Sequence, residues 1–404
     1  MVVVGDLSGS GGAERYFRDL HQHFRRSGSV TSVLITAVSS LRRLKEGGRI
    51  PIEHGIVALP LGETPAVSRA SLVLTTLRLL WATLGRGFDV VHICLPTTTY
   101  VPYAALLRLL PRPMRPAITL SVIDCTLAPN LEAPAVADLY ERQVVSAHRL
   151  FARWARLDGI FTWYQAFADV ARRIGMFSRS TTIVPAKYCF TDPGRFQPAR
   201  ARDRVIVFAG RLSSQKRPLL FVDAIARLVA TEPSLAEGWR VEMYGKGPLE
   251  DEVRRRVAAH NLGPMLRLTH AADLSGVFAR TRLFVSTQAI DNFTSLAMLE
   301  AMAAGNAVIA EDVGQTREFV RNGENGLLVK DATPEGFASA MAHYLRNPSD
   351  HERMSAASRS IAVDVHTIEH AAADITAFWA GMCRWRMPSR RARGRFRRCS
   401  NCLE

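Results

Sequence analysis

The chain lacks any uninterrupted apolar run of the length that a membrane-spanning helix requires. Such a helix needs about 18 or more consecutive apolar residues, and no segment of the 404 residues provides them. The N-terminal stretch MVVVGDLSGSGGAERYF also lacks the basic segment, long apolar segment and cleavage site of a secretory signal. We therefore expect a cytoplasmic protein with no transmembrane helix, in which MVVVGD forms a first buried strand.

Cysteine is scarce, with six residues scattered over the whole chain. This usage does not resemble a disulfide framework. Cys399 and Cys402 form a single C-x-x-C, but a zinc site needs two further ligands, and no second pair lies nearby in the sequence. No Asp-x-Asp motif stands in a convincing setting for a metal either. We predict two tail thiols and no metal site.

The charge is strongly unbalanced, with a formal net charge of +15. Eight arginines lie between Arg384 and Arg398, so much of the excess is in the C-terminal tail. A basic balance favours phosphate-bearing partners, namely nucleotides, anionic lipids or nucleic acid. It does not choose among them.

Strand-like and helix-like segments alternate along the chain, which is typical of α/β proteins with parallel sheets. A length of 404 residues predicts two domains, and the Pro-, Gly- and Arg-rich segment 190–203 is a natural break. Open sheets of this class bind ligands at the carboxyl ends of their strands. The predicted strands of the first half are 32–38, 89–95, 117–123 and 159–164, with a strand-like segment at 181–187 before the break. Those of the second half are 204–210, 240–245, 265–270, 282–287, 307–312 and 326–329.

The segment FAGRLSSQKRP combines a strand end with two cations. Gly210 ends the strand, Arg211 and Lys216 follow, and a helix is predicted to begin near Pro218. Cations placed beside a helix N-terminus form an anion site, because the helix dipole and free N–H groups add to their charge. Arg211 can bind an oxygen pair in a fork, and Lys216 acts as a point charge. The alternative is a solvated basic turn.

Two glycine-rich turns follow predicted strands. Gly11 and Gly12 precede a predicted helix near Ala13, and Gly245 lies in YGKGPLEDEV. Glycine lets the backbone approach a phosphate or a sugar closely. Neither turn matches a dinucleotide fingerprint or a Walker loop, so an ordinary flexible turn remains an alternative for both.

Residues 291–310, DNFTSLAMLEAMAAGNAVIA, place one carboxylate in an apolar helix. Thr294 or Ser295 can cap the helix and Gly305 ends it. A carboxylate at Glu300 is costly there unless it gains partners. Ligand hydroxyls are suitable donors, and a basic neighbour is the alternative.

These segments together resemble the C-terminal signature of family 4 glycosyltransferases, the retaining, nucleotide-sugar-dependent enzymes of GT-B fold. The similarity is strong over about 204–330 and mainly positional over 1–200, where GGAER resembles the family's N-terminal glycine loop. It implies two Rossmann-like domains facing across a cleft, with a nucleoside diphosphate sugar as co-substrate and no other cofactor. The implied limits are 1–195 for the acceptor-side domain, 196–365 for the nucleotide-sugar domain, 366–387 for a helix returning to the first domain, and 388–404 for a disordered basic tail.

The resemblance also implies roles for individual residues. Arg211 and Lys216 would hold the donor diphosphate and stabilise the leaving group, and Glu300, the second acid of an E-x7-E motif, would bind the ribose hydroxyls. Asn292 stands where the first acid of that motif is usual, with Asp291 beside it as a substitute. The residues implied to bind the donor are Gly11, Gly12, Gly210, Arg211, Lys216, Gly245, Asp291, Phe293, Thr294, Ser295 and Glu300.

The acceptor side departs from the family pattern. Ile123 occupies the approximate place of a histidine that supports the transferred sugar in many members, and Asp124 follows it. Asp124 and His92 are candidates for the acceptor side, although a lone histidine in an apolar strand is more often a core residue. No catalytic histidine is assigned.

Residues 140–158 are predicted to form an amphipathic helix, with Arg142, Arg149, Arg153 and Arg156 on one stripe. The other, apolar stripe consists of Val144, Ala147, Phe151, Trp154 and Ala155. An anionic membrane surface is a candidate partner for the arginine stripe, and an ordinary surface helix is the alternative.

We expect a retaining, metal-independent glycosyltransferase that acts on a glycan or lipid-linked acceptor in polysaccharide or glycolipid synthesis, in the cytoplasm or peripheral to the membrane. The alternatives are a sugar phosphorylase, an epimerase and a non-catalytic protein that binds nucleotide sugars. Nucleic-acid binding by the arginine-rich tail is a further alternative, which is disfavoured.

Overall fold

The protein forms two compact units in the computed structural model. Unit 1 comprises Met1–Thr162, Phe167–Pro185 and Ala372–Glu404, and unit 2 comprises Trp163–Ala166 and Ala186–Ala371. The structure describes residues 2–4, 12–46, 55–61, 69–84, 86–94, 97–111, 114–123, 127, 139–271, 273–291, 293 and 295–383.

Unit 1 is built on a seven-stranded parallel sheet with the order β3-β2-β1-β4-β5-β6-β7. Chain order reverses between β1 and β4, which are hydrogen-bonded neighbours. The strands are β1 (Val2–Val4), β2 (Val33–Ala37), β3 (Ile56–Leu59), β4 (Val90–Ile93), β5 (Ala117–Val122), β6 (Gly159–Thr162) and β7 (Thr182–Pro185).

Helices connect these strands, as parallel pairing requires. They are α1 (Gly12–Ser27), α2 (Val38–Glu46), α3 (Arg69–Leu84), α4 (Val101–Leu109), α5 (Leu139–Leu150) and α6 (Gln165–Arg173).

Unit 2 has a six-stranded parallel sheet with the order β10-β9-β8-β11-β12-β13. Its strands are β8 (Val205–Ala209), β9 (Arg240–Tyr244), β10 (Leu266–Thr269), β11 (Leu283–Ser286), β12 (Ala307–Glu311) and β13 (Gly326–Val329).

The helices that follow unit 2's first strand are α7 (Pro218–Thr231), α8 (Pro233–Ala236), α9 (Glu250–Ala259), α10 (Ser275–Arg280), α11 (Leu296–Ala303), α12 (Pro334–Arg346), α13 (Pro348–Ser360) and α14 (Ile368–Cys383).

The core of unit 2 shows why its strands are continuous apolar runs. Ile206 and Phe208 of β8 pack in one cluster with Phe221 of α7 and Phe337 of α12. Val205 and Val207 alternate with them and are also fully buried. Both faces of the sheet are therefore covered, which is the property that makes parallel strands hydrophobic throughout.

The predicted fold class is confirmed. Each predicted strand coincides with an observed strand to within two residues at either end, and both sheets are wholly parallel and reverse their strand order once. These are Rossmann-like, doubly wound units. One strand, Ile56–Leu59, was not anticipated; its apolar run is only four residues long and stands at the edge of the sheet.

Helix α14 supplies part of the core of unit 1 although it comes last in the chain. The Phe378 ring lies 5.4 Å from that of Phe161, and the Trp379 ring lies 5.8 Å from that of Phe24. A Cβ atom added at Gly159, the first residue of β6, would lie 2.8 Å from Phe378. The helix can thus approach β6 closely at Gly159, which has no side chain there. The domain limits given in the sequence analysis, 1–195, 196–365, 366–387 and 388–404, stay a prediction.

The predicted helix over 140–158 is interrupted. It continues from α5 as a π-helical turn, Phe151–Ala155, and ends at Arg156 with a φ of 44°. All four arginines of the predicted stripe are exposed. Trp154, predicted to lie on the apolar side, is instead 57% exposed. The wider π turn changes the 3.6-residue register on which the prediction rested, so Trp154 leaves the buried face.

Within the described residues, no helix is both long enough and apolar enough to cross a membrane.

The packing of α14 predicts a large loss of stability on Trp379→Ala. The side chain is 4% exposed, and removing a buried aromatic side chain costs about 3–5 kcal/mol. We expect the unfolding of unit 1, followed by circular dichroism in urea, to shift to lower denaturant concentration. Trp154→Ala removes the same side chain from an exposed position and should leave the midpoint nearly unchanged. Equal midpoints for the two variants would contradict the described packing.

Candidate functional site

The strand order of unit 2 opens a crevice between β8 and β11. These strands are neighbours, but the chain leaves them toward β9 on one side and β12 on the other. Loops that diverge at such a switch point leave space at the carboxyl ends of the strands, where doubly wound sheets bind ligands. Residues 210–217 follow β8 and residues 287–295 follow β11, so these two loops flank the crevice.

The loop after β8, residues 210–217, carries the predicted cations, and we call it the cation loop. Arg211 is exposed, and Lys216 ends a short 3-10 turn before α7. Helix α7 begins with Pro218 at its first position, so its first free N–H groups and its positive dipole end lie beside these cations. This arrangement can bind an anion.

Glycine allows the loop after β8 to pack directly on the loop after β9. A Cβ atom at Gly245 would lie 1.9 Å from the Gly210 carbonyl oxygen, and one at Gly247 would lie 2.3 Å from the Leu212 carbonyl oxygen. The backbones are joined by the Gly210 N–H donating to Tyr244 at 3.0 Å and the Leu212 N–H donating to Lys246 at 3.0 Å. Gly245 therefore supports the cation loop through close backbone contact.

Lys216 is linked to the loop after β11. Its ammonium group donates to the Gln288 side-chain oxygen. The Thr287 hydroxyl, fully buried, lies 2.9 Å from the carbonyl oxygens of both Lys216 and Arg217. These bonds fix the Lys216 backbone and one position of its side chain on the β11 side of the crevice.

Arg217 forms a further link between the cation loop and the neighbouring strands. It has a left-handed φ of 43°, a conformation that is uncommon for a residue other than glycine. Its Nε donates to the Thr287 carbonyl at 2.8 Å, and its guanidinium forms an ion pair with Glu311 at the end of β12. Burial lowers the pKa of Arg217 from its usual value. The ion pair and the hydrogen bond hold the strained residue that joins the cation loop to α7.

Asp291 serves as an anchor for its own loop. Its carboxylate accepts the N–H of Phe293 and the N–H of Gln315, both at 2.9 Å. The residue is 5% exposed, and burial raises the pKa of its carboxyl, while the two N–H groups oppose that rise. A Cβ at Gly314 would lie 2.6 Å from this carboxylate. The predicted sugar contact of Asp291 stays a prediction, and the structure gives both oxygens backbone partners.

Phe293 and Ser295 occupy different environments. The Phe293 ring is buried and stacks on Phe319 with a centroid distance of 5.2 Å, so any contact with a donor would come from its backbone. Ser295 is the N-cap residue of α11, and its side chain makes no capping hydrogen bond. Its half-buried hydroxyl is therefore not committed to that cap.

Glu300 is the single charged residue of α11, whose sequence is LAMLEAMA. It is 5% exposed and its helical neighbours Leu299 and Ala301 are fully buried. The helix ends as predicted at Gly305, where φ is 76°. The Gly305 and Asn306 N–H groups donate to the carbonyls of Met302 and Ala301 at 2.8 and 2.9 Å, which is the Schellman geometry. The buried carboxylate is thus held on a rigid helix that follows the β11 loop.

Four predicted site residues lie outside the described residues: Gly11, Asp124, Asn292 and Thr294. Gly12 is described and is the exposed first residue of α1. It follows β1 at the switch point of unit 1, the position at which that sheet would bind a ligand.

His92 lies in the core of unit 1. It is fully buried, with Nδ1 2.9 Å from the Thr119 hydroxyl and Nε2 2.8 Å from the Ser121 hydroxyl. The Trp379 N–H also donates to Nδ1, at 3.4 Å. Burial lowers the pKa of His92 to about 3. The burial of the ring and the hydrogen bonds of both nitrogens favour the core role, and the acceptor-side contact stays a prediction.

The structure brings Gly210, Arg211, Lys216 and Gly245 together around two adjoining loops, and Asp291 follows Gln288 on the loop that Lys216 contacts. Three residues that contact the cation loop were not predicted as site residues: Thr287, Gln288 and Glu311. Each stands at or just after the end of a predicted strand, and polar residues at that edge were the available signal. Among the described residues, no group of three His, Cys, Asp or Glu side chains is placed to hold a metal ion.

Comparison with known proteins relates the chain to glycosyltransferases. Residues 203–347 match the family model of glycosyl transferases group 1. A D-inositol 3-phosphate glycosyltransferase of Jonesia denitrificans is 31% identical over 180 residues, 43% of this chain and 42% of that protein. One from Geodermatophilus obscurus is 30% identical over 197 residues, 43% of each chain. The matched part thus spans less than half of the length of these relatives.

Solved structures match over nearly the whole chain. A sucrose-phosphate synthase of Thermosynechococcus elongatus has a TM-score of 0.69 at 18% identity, covering 94% of this chain and 98% of that one. Anabaena HepE in complex with UDP has a TM-score of 0.70 at 16% identity, covering 94% and 99%. These TM-scores over nearly the whole chain establish the fold. Together with the family model, they confirm the predicted resemblance to glycosyltransferases of GT-B fold.

The burial of neutral His92 predicts an acid-sensitive unit 1. The pKa is about 3 in the folded chain against 6.5 for the free side chain, so the unfolded chain binds more protons between these values. Stability from this site is complete above about pH 6.5 and falls as the pH drops toward 3, by up to about 1.4 kcal/mol per pH unit.

His92→Gln should therefore reduce the slope of unfolding free energy against pH between about 6.5 and 4, measured by urea unfolding at a series of pH values. The exposed His343→Gln variant is the matched control and should keep the wild-type slope. An unchanged slope in His92→Gln would show that His92 is not held neutral.

Proposed function

We propose that this chain, whose fold is GT-B and whose residues 203–347 match the group 1 glycosyltransferases, transfers a sugar from a nucleoside diphosphate sugar to an acceptor. The observation that carries the proposal is the cation loop at the switch point of unit 2. Exposed Arg211 and half-buried Lys216 lie on this loop, which leads into the N-terminus of α7. Structures of Anabaena HepE hold UDP or UDP-glucose, which supports this donor class for the present chain.

The proposed role of the cation loop is to neutralise the diphosphate. Negative charge grows on the leaving nucleoside diphosphate as the glycosidic bond breaks, and fixed positive groups lower the barrier most when they need no rearrangement. Lys216 meets this condition, because Thr287 and Gln288 hold its backbone and ammonium group. Within the described residues the Arg211 side chain makes no hydrogen bond or ion pair, so it can turn its fork toward two phosphate oxygens.

Glu300 is proposed to accept hydrogen bonds from the ribose hydroxyls of the donor. A carboxylate offers two oxygens to a diol. Its place on a rigid, buried helix reduces the entropy lost on binding. Ser295, at the start of the same helix, has a hydroxyl available for the donor.

We further propose that the reaction retains the anomeric configuration and that side-chain cations serve in place of a metal. The proposed acceptor is a glycan or a lipid-linked sugar in polysaccharide or glycolipid synthesis. Because two relatives are named D-inositol 3-phosphate glycosyltransferases, inositol 3-phosphate belongs in any acceptor panel. The protein is proposed to act in the cytoplasm, at the inner face of the membrane.

One observation favours a second candidate, a GT-B protein that binds nucleotide sugars without turning them over. Asp291, the acid beside Asn292, already uses both oxygens for backbone N–H groups. Calorimetric binding of a nucleotide sugar, with no product from a broad acceptor panel, would favour this alternative over the transferase.

Lys216→Ala and Arg211→Ala should each weaken binding of the donor nucleotide. A hydrogen bond to a charged group contributes about 1.5–3 kcal/mol, so we expect a rise in Kd of roughly ten- to a hundredfold. Calorimetry with UDP, GDP and ADP measures this directly, and the release of nucleoside diphosphate measures turnover. The exposed Lys330→Ala, after β13, removes an equal charge from the same unit and should bind as the wild type does. Wild-type affinity in both site variants would reject the site.

Glu300→Gln should weaken the nucleoside part of the interaction alone. The amide keeps the size of the side chain but replaces one acceptor with a donor, so we expect a Kd for the nucleoside diphosphate about tenfold higher. The Kd of inorganic pyrophosphate, which has no ribose, should not change. Glu318→Gln, at an exposed site, is the control. An equal loss for pyrophosphate would indicate a disturbed fold and not a lost ribose contact.

A further inference from the structure

Helix α3 of unit 1 has its large apolar side chains on the outside. Val73, Leu74, Leu77, Trp81 and Leu84 are 59, 46, 55, 71 and 45% exposed. Their spacing of three and four residues places them along one face of the helix. We call this set the α3 apolar face.

The buried face of the same helix is comparatively polar. It consists of Thr75, Thr76, Leu79, Ala82 and Thr83. Two of the threonine hydroxyls donate back to the helix, Thr76 to Leu72 at 2.8 Å and Thr83 to Leu79 at 2.7 Å. Thr83 also lies 2.6 Å from the Tyr103 hydroxyl.

This orientation is the reverse of an ordinary surface helix, which turns its apolar stripe to the core. The orientation is fixed by sterics as well as by hydrogen bonds, because Tyr103 and Leu107 of α4 are fully buried and α4 packs beside α3. Small side chains on α3 fit beside these large ones. A contiguous exposed apolar face of this kind marks an interaction surface.

The charges on the segment that carries the face are predominantly positive. Residues 69–116 contain six arginines and one acid, Asp89. Exposed Arg86 lies over the Trp81 ring, with its guanidinium carbon 5.8 Å from the ring centroid. Arg69 is also exposed, and the Arg78 guanidinium donates to the Pro60 carbonyl.

The neighbouring helix extends the apolar character. Leu106 and Leu109 of α4 are 41 and 78% exposed, and Met114, shortly after it, is 68% exposed. α4 also packs against the π-helical turn that exposes Trp154, where the Arg153 guanidinium lies 5.4 Å from the Trp154 ring centroid.

We propose that the α3 apolar face docks on an anionic lipid bilayer, with Trp81 and its leucines entering the interface and the arginines contacting lipid phosphates. Tryptophan is suited to the boundary between headgroups and acyl chains, and basic residues beside an apolar helix face are attracted to anionic lipid. A second copy of the chain would bring another arginine-rich face against this one, and like charges would oppose that contact. The bilayer supplies the opposite charge.

This inference rests on the proposed function in one respect: membrane docking would hold the enzyme beside a lipid-linked acceptor. The interaction itself involves unit 1 residues and needs no donor. Membrane binding and donor binding can therefore fail independently of each other.

The test uses the full chain and vesicles of phosphatidylcholine with or without about one third phosphatidylglycerol, with bound protein measured by flotation. We expect the wild type to bind the anionic vesicles. Leu77→Glu together with Trp81→Glu should reduce the bound fraction about tenfold or more, since it places two carboxylates on the inserting face. Ile174→Glu makes the same kind of change at another 49% exposed apolar residue of unit 1 and should bind as the wild type does. UDP calorimetry on each variant shows whether unit 2 is unaffected.

Three results would overturn the proposal. The first is a wild type that leaves the anionic vesicles unbound. The second is a double variant that binds as well as the wild type, which would assign binding to the arginine-rich tail or another surface. The third is a wild-type dimer in light scattering that the double variant converts to a monomer, which would assign the face to a second copy of the chain.

Discussion

The hydroxyl of Thr287 makes the contact on which the candidate donor site depends. At a switch point the two central strands send their loops apart, and backbone pairing within the sheet stops before the ligand-binding edge. The hydroxyl bridges this gap by meeting two consecutive carbonyls, those of Lys216 and Arg217, at 2.9 Å each. Because the group is fully buried, water does not compete for these bonds, and their loss would leave buried polar groups unpaired.

Lys216 and Arg217, the two residues that Thr287 contacts, combine a strained backbone conformation with two positive charges. Arg217 takes a left-handed conformation that costs on the order of 1 kcal/mol or more for a residue with a side chain. Its bonds to Thr287 and its ion pair with Glu311 keep it there. One residue earlier, Lys216 enters the crevice and is held by Gln288. A rigid junction places the cation before a ligand arrives, so little of the binding energy is spent on ordering it.

Local patterns predicted the fold well because parallel strands are buried on both faces. Runs such as RVIVFAG and AVIAED are apolar enough to be located without knowledge of their neighbours. Gly305, Ser295 and Pro218 likewise act through local backbone geometry, and they occupy the helix ends that were expected. Ile56–Leu59 was missed because its apolar run is only four residues long, and as an edge strand it is mostly half-buried.

The site was predictable only in its parts. Arg211, Lys216 and Glu300 stand out as charges at informative places in the sequence. The contact between Arg217 and Glu311 joins residues 94 positions apart, and no spacing rule predicts it. His92 shows the converse, because its polar partners Thr119 and Ser121 come from the next strand. A histidine that stands alone among apolar residues in the sequence has partners for both ring nitrogens in the fold.

Hydrophobic periodicity does not predict which face of helix α3 is buried. The rule identifies two faces of a helix and assigns the more apolar one to the core. In α3 the threonines satisfy their hydroxyls within the helix and against Tyr103, so the less apolar face can be buried at little cost. Close packing against the large side chains of α4 then decides which face turns inward. The leucines and Trp81 are left outside, where only a partner can remove them from water.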